Sequence, residues 1–183
     1  MQWRFLPQRI AYTGCELRAH WIYDQTGLAG DAVVGFCGPA SVPVAHMVDR
    51  EDVRRGEGIR AAGMLHLIAE HFDADLLRTV LRQRLLVCLA AELLQAAGVA
   101  VARQGDDLFL AERKLSVSIA TASPVSTLIH LGLNVDPTGA PVPAVGLTEL
   151  GILGRELAEQ LMSAYVSELA SCEVARCKVR GVH

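Results

Sequence analysis

Arg103-Gln104-Gly105-Asp106-Asp107-Leu108-Phe109-Leu110-Ala111-Glu112-Arg113-Lys114-Leu115-Ser116-Val117-Ser118-Ile119-Ala120-Thr121 reads as two short strands joined by a charged turn. Its second half alternates strictly, with Lys114, Ser116 and Ser118 on one face and Leu115, Val117 and Ile119 on the other. Ile129 to Val135 alternates in the same way: Ile129, Leu131, Leu133 and Val135 form an apolar face, and His130, Gly132 and Asn134 a polar or open one. Two neighbouring strands with polar faces that are not simply charged predict a sheet whose second side lines a pocket. The expected class is α+β, a mixed and mostly antiparallel sheet packed by helices.

Working outward, Leu76 to Ala97 predicts a long helix, capped by Asp73 or Asp75 and stopped by Gly98. Its expected buried stripe is Leu77, Leu81, Leu85, Cys88, Leu89 and Leu93, with Arg78 and Arg82 turned away. Thr148 is expected to open a second helix with the stripe Leu150, Leu153, Leu157, Leu161, Tyr165 and Leu169. Cys172 to His183 alternates weakly, as a last strand would. On the N-terminal side, Arg9 to Gly14 reads as a first strand, and Leu17 to Tyr23 as a strand or a short helix. Ala32 to Phe36 reads as a buried strand ended by Gly38-Pro39, with Ser41 to Met47 as an edge strand interrupted by Pro43.

The polar run Asp49 to Gly58 reads first as a solvated loop. The alternative folds it over the pocket mouth, with Gly56 and Gly58 bringing backbone amides to a phosphate. Met64 to Glu70 fits a strand or a helix, and in both His66 and Glu70 can approach each other. A histidine held by a carboxylate is a candidate acid or base, although a hydrogen-bonded structural histidine is the commoner outcome.

With 183 residues, 51% hydrophobic and 20% charged, the chain is long and apolar enough for one folded domain, expected to span residues 1–183. A formal charge of −3 argues against nucleic acid as a partner, and no apolar run is long enough to cross a bilayer. Arg4 and Arg9 precede no long apolar segment, so no signal peptide is read and the cytoplasm is the expected location. Five scattered cysteines, Cys15, Cys37, Cys88, Cys172 and Cys177, argue for reduced thiols. Cys172, Cys177 and His183 lack a second ligand pair, so no metal is assigned.

Three segments in order, Arg103 to Asp107, Glu112-Arg113-Lys114 and His130 to Val135, resemble the biotin and lipoate protein ligases. Biotin ligases carry a Lys-Trp-Pro-Asn-Asp-like segment, a hairpin ending in a lysine within a Gly-Arg-Lys-like turn, and a later Gly-Ile-Gly-Ile-Asn-Val strand. The resemblance implies a class II aminoacyl-tRNA synthetase-like fold. Along most of its length the chain is similar to the family catalogued as domain of unknown function 366. The likeness lies in Tyr12-Thr13-Gly14, Gly30-Asp31, Gly38-Pro39, Met47-Val48-Asp49 with Glu51-Asp52, Met64-Leu65-His66 and Gln83-Arg84-Leu85.

By resemblance, Lys114 meets the carbonyl and phosphate of an activated acid, and a fixed cation there stabilises charge growing on oxygen. Asp106 or Asp107 then holds the lysine, contacts a nucleotide-borne metal or orients an amine, with only one of the pair expected in the pocket. Ser116 and Ser118 would orient a carboxylate or phosphate, Gly132 would admit close approach, and Asn134 would donate to a ligand oxygen or brace a turn. His130 and His66 complete the expected binding set. ATP with magnesium is the cofactor that the resemblance implies. The ligases' glycine-rich loop is unmatched, with only Arg54-Arg55-Gly56-Glu57-Gly58 or Ala61-Ala62-Gly63 near its place. The expected partner is a small-molecule acid, handled by adenylation or acyl transfer or simply bound; a homodimer is left open.

Overall fold

A computed structural model describes residues 1–56 and 58–182. Glu57 of the polar run and His183 of the C-terminal cysteine and histidine group lie outside the described residues. The elements run β1 (Gln2–Leu6), α1 (Trp21–Thr26), β2 (Ala32–Val42), α2 (Arg50–Arg55), β3 (Ile59–His71), α3 (Leu76–Ala96), β4 (Ala102–Gln104), β5 (Asp107–Leu110), β6 (Arg113–Lys114), β7 (Ser116–Ala122), β8 (Thr127–Asp136) and α4 (Gly154–Cys177). A five-stranded sheet has the order β1-β2-β3-β8-β7, antiparallel except for β1 against β2, and β4, β5 and β6 form a separate three-stranded sheet.

Period-2 alternation gives the main sheet two apolar faces. Val33, Leu65, Leu67, Ile129, Leu131 and Leu133 point to one side and are buried under α3 and α4. Val34, Phe36, Ile68 and Leu128 point to the other, where Trp21 and Ile22 of α1 and Tyr12 cover them. The pocket lies on this second side.

Several sequence expectations change. Arg9 to Gly14 is not a strand of the sheet; it runs beside β2 through backbone bonds from Ile10 to Cys37 and between Tyr12 and both Pro39 and Ser41. That contact needs Gly38, because a Cβ there would collide with the Ile10 carbonyl. Gly38-Pro39 therefore does not end the strand: β2 continues to Val42 through a register shift between Gly38 and Ala40. Val44–His46 is a 3₁₀ turn, not an edge strand. Leu17 to Tyr23 resolves into a turn leading to α1, and Met64 to Glu70 into the middle of β3.

The face of α3 that packs on the sheet is Thr79, Gln83, Leu86, Val87, Ala90, Ala91 and Leu94, capped by Asp75. Leu77 and Leu81 of the expected stripe are 71% and 62% exposed. The helix is leucine-rich all round, so periodicity alone selects no face, and the smaller alanines are those that let it approach the sheet. Leu85, Cys88, Leu89 and Leu93 are only partly buried. Arg82 and Arg78 both reach Asp73, at 2.7 and 3.5 Å. The last helix starts at Gly154, past Thr148, and runs through Cys172 to Cys177, replacing the expected last strand within the described residues. Leu157, Leu161 and Tyr165 are buried as expected, whereas Leu153 is an exposed helix cap.

Candidate functional site

The hairpin β4–β5 turns at Gly105-Asp106, and Gly105 takes the left-handed conformation (φ 65°) that a tight turn favours. The chain turns again at Ala111 before β6. Lys114 leaves this small sheet with its backbone held on both sides: its N–H donates to the Pro143 carbonyl (2.9 Å), and its carbonyl accepts from the Val145 N–H (3.1 Å) and Asn134 Nδ2 (3.2 Å). Its ammonium sits 2.8 Å from Asp107, both side chains being about three-quarters buried. This charge-assisted contact is roughly twice as strong as a neutral hydrogen bond.

Lys114 and Asp107 close one end of a cavity of about 230 Å³. His130 and Ile119 contribute to its sheet side, Tyr12 and His46 to its N-terminal wall, and Asp52 and Arg55 of α2 to its mouth. A smaller hollow of about 110 Å³, lined by Met64, Asn134, Pro141 and Val142, shares Lys114 and Val117 with it. The lysine thus stands between two recesses.

Burial raises the Asp107 carboxyl above its usual range; the Lys114 hydrogen bond opposes this, and the Asp106 charge adds to it. Asp106 also lines the cavity, contrary to the expectation that one aspartate of the pair would face away. It occupies the turn and not a strand, so strand alternation does not apply to it. Its carboxylate is held by Gln83 and Arg84, each at 2.9 Å.

Tyr12 stacks on His130 with ring centres 3.9 Å apart and planes 8° from parallel. Behind them His66 contacts both Phe36 and Tyr12, at 5.0 Å, and its Nδ1 lies 3.1 Å from His130 Nε2. Burial lowers the His66 pKa to about 4, with the Gly38 backbone pulling the other way, and His66 Nε2 has no hydrogen-bond partner among the described residues. His130 is held well below the ordinary histidine range by burial and then by His66. Both rings are neutral at pH 7. The Tyr12 hydroxyl is pushed far above its usual range by burial, helped by Glu16 and Cys15, and stays protonated.

The sequence-predicted residues divide between the two sides of the sheet. Lys114, Asp106, Asp107 and His130 line the cavity. Ser116 does not: it is fully buried and accepts from the Leu108 N–H at 2.8 Å, tying the hairpin to the sheet. Ser118 is at the cavity rim, but its hydroxyl accepts from Gln83 at 2.8 Å. Pairing decides this, since Ser116 lies opposite Leu133 and Ser118 opposite Leu131, both on the helix-covered face. Val117 and Ile119 are the β7 side chains on the cavity side. Gly132 makes room for protein: a Cβ there would stand 2.7 Å from Met64 Cε and 3.2 Å from both the His130 ring and Val117. Asn134 braces Lys114 through its carbonyl. His66 lies behind the wall, and the carboxylate of Glu70 turns instead to the His20 N–H (2.9 Å) and Ser126 hydroxyl (2.7 Å).

Asp49 to Gly56 lies at the cavity, as its alternative reading expected, but as a helix and not as a solvated loop. It forms α2, with Asp49 accepting from the Glu51 and Asp52 N–H groups and Gly56 ending it at φ 70°. Gly58 packs at the Val42 carbonyl, where a Cβ would lie 2.7 Å away, whereas the Cβ position of Gly56 is open. The missed signal was a capping pattern: aspartate, acidic first turn, basic last turn, glycine. Tyr12, His46 and Arg55 were also missed as site residues; they come from separate segments, and no local spacing unites them.

Among the described residues no three His, Cys, Asp or Glu side chains converge as a metal-binding group. The cations Lys114 and Arg55, paired with Asp107 and Glu51, carry charge that suits a carboxylate or phosphate, whereas the Asp106 carboxylate is held by Gln83 and Arg84 and that of Asp107 by Lys114. The residues therefore fit an anionic ligand and do not fit a magnesium ion held by this aspartate pair. No helix is long and apolar enough to cross a membrane.

Residues 1–180 match the family model described as Domain of unknown function (DUF366). The uncharacterized protein MJ0805 of Methanocaldococcus jannaschii is 38% identical over 154 residues, 81% of this chain and 70% of that protein. A protein of unknown function from Pyrococcus horikoshi superposes with a TM-score of 0.93 at 42% identity, covering 99% of this chain and all of the other. The biotin protein ligase of Aquifex aeolicus in complex with biotin and ATP gives a TM-score of 0.58 at 13% identity over 92% of this chain and 70% of the ligase. Lipoate-protein ligase A bound with ATP gives 0.52 at 12% identity, over 92% and 85%. At such identities the likeness establishes the fold, the class II synthetase-like one of biotin and lipoate ligases.

Proposed function

Since the chain belongs to the DUF366 family, whose description assigns no activity, we propose a function from the site itself: the cavity binds a small carboxylic acid with its carboxylate at Lys114. One observation carries this reading: the Lys114 ammonium faces into the cavity, held by Asp107 at 2.8 Å on a backbone fixed by Pro143, Val145 and Asn134. A cation fixed before the ligand arrives loses little freedom on binding and needs no reorganisation as charge grows on an acyl oxygen. The ligand's polar head would lie between the two recesses, where an acyl group can be approached from a second side. That placement supports activation or transfer of the acid. ATP would supply a leaving group for the acyl carbon, and Lys114 with Arg55 are the residues suited to its phosphates.

Isothermal titration calorimetry with a panel of short carboxylic acids, with and without ATP, tests the reading. Acids bind to the wild type, and Lys114→Ala weakens them at least tenfold. An acid that binds both proteins equally, or a panel that binds neither, removes the proposal. Pyrophosphate release in the presence of ATP separates activation from binding alone. The non-catalytic reading is favoured by α2, which occupies the mouth where the ligases carry a glycine-rich loop; it expects binding without pyrophosphate.

A further inference from the structure

Away from Lys114 the cavity wall carries two polar atoms that nothing in the protein uses. Tyr12 is 3% exposed, and its hydroxyl makes no hydrogen bond among the described residues. His130 is 2% exposed; its Nε2 is committed to His66, and its Nδ1 makes no hydrogen bond among the described residues. Both side chains line the cavity, and their rings are stacked 3.9 Å apart, so neither can turn away to find a partner. Buried polar groups in folded proteins are nearly always paired. The two here open onto the cavity, so a ligand that fills it covers them and must itself supply their partners.

The chemistry of that group follows from the protons. The Tyr12 hydroxyl stays protonated and donates. His66 Nδ1 and His130 Nε2 share one proton, so the tautomers of the two rings are linked. A proton on His130 Nε2 leaves His130 Nδ1 an acceptor, and one on His66 Nδ1 leaves it a donor. The wall thus presents the Tyr12 donor beside a ring nitrogen whose partner in either tautomer is a group that can both accept and donate.

We infer that the ligand is a carboxylic acid bearing a second group that both accepts and donates, a hydroxyl or an amide, received by Tyr12 and His130. The inference rests on the reading of Lys114 as the carboxylate receptor and names the class of acid. A plain aliphatic acid would cover the two wall atoms and leave them without water or partner. Sites built to hydrogen-bond a polar group discriminate strongly against analogues that lack it.

The test compares hexanoate and octanoate with their monohydroxy derivatives, the hydroxyl moved along the chain, by calorimetry on the whole protein. At one position or more the hydroxy acid binds about tenfold tighter than its parent, the effect of one well-made buried hydrogen bond. Tyr12→Phe keeps the ring and its stack and lowers that ratio toward one. Parent acids that bind through Lys114 while no hydroxyl position improves on them would overturn the inference and leave the acid-binding reading intact. A ratio unchanged in Tyr12→Phe would also overturn it. Absence of any Lys114-dependent binding removes both.

Discussion

Lys114 is held by its backbone before its side chain meets anything, and its partner Asp107 comes from the neighbouring strand of the same small sheet. Alternation placed Lys114, Ser116 and Ser118 on one face, but the chain passes from β6 into the other sheet between Lys114 and Ser116. A local pattern cannot show that break, because both segments are extended. The Asp107 carboxylate already offsets the lysine charge, so an incoming acid meets a like charge at close range. Asp107→Asn should therefore bind acids several-fold more tightly than wild type in the same titration. Weaker binding would mean that Asp107 serves mainly to aim the ammonium.

The helix α3 shows what a helix pattern leaves open. Its leucines recur at helical spacing, yet the face that packs on the sheet is Gln83, Leu86, Val87, Ala90 and Leu94. Leu86→Ala should cost about 2–5 kcal/mol in urea unfolding, whereas Leu81→Ala should stay within about 0.5 kcal/mol. Equal costs would contradict the packing described. Gln83 is nearly buried and donates to both Asp106 and Ser118, so it joins the helix, hairpin and sheet beside the cavity. Gln83→Leu should lose about 1–3 kcal/mol by leaving those acceptors unpaired. The short helix α2 was legible in principle from its caps, although a dense charge run reads more readily as a loop.

At the scale of the whole molecule, buried ionisable groups make stability depend on pH. His66 and His130 have folded pKa values below that of a free histidine, so acid protonates the unfolded chain first. The His66 contribution is complete above about pH 6.5 and is lost as pH drops toward about 4, and His130 acts in the same direction. At the opposite side of the sheet Asp31, His71 and Tyr165 form a relay of 3.2 and 3.0 Å that ties α4 to β3. The His71 hydrogen bond lowers the Asp31 pKa to about 2, against desolvation and helped by the Phe72 N–H. Its contribution is present above about pH 4 and is lost as pH falls toward 2. Urea midpoints measured from pH 7 to pH 3 should fall in the first window and continue into the second; a flat profile from pH 7 to pH 5 would show that the histidines are not buried as described. Tyr165→Phe should cost about 1–3 kcal/mol at pH 7 by the same measurement.

The alternating strands after Gly105, the capped long helix and the order of the hairpin and Asn134 strand were enough to read the fold class, and the same residues carried the likeness to the ligase fold. Those features are local, and a strand or a cap is chosen within a few residues. The cavity is different in kind. Strand pairing turned the two serines toward α3, close contact through Gly38 brought Tyr12 onto His130, and a helix cap laid α2 across the mouth. Each of these joins segments far apart in the chain, where only burial and hydrogen-bond satisfaction across the folded molecule select the partner.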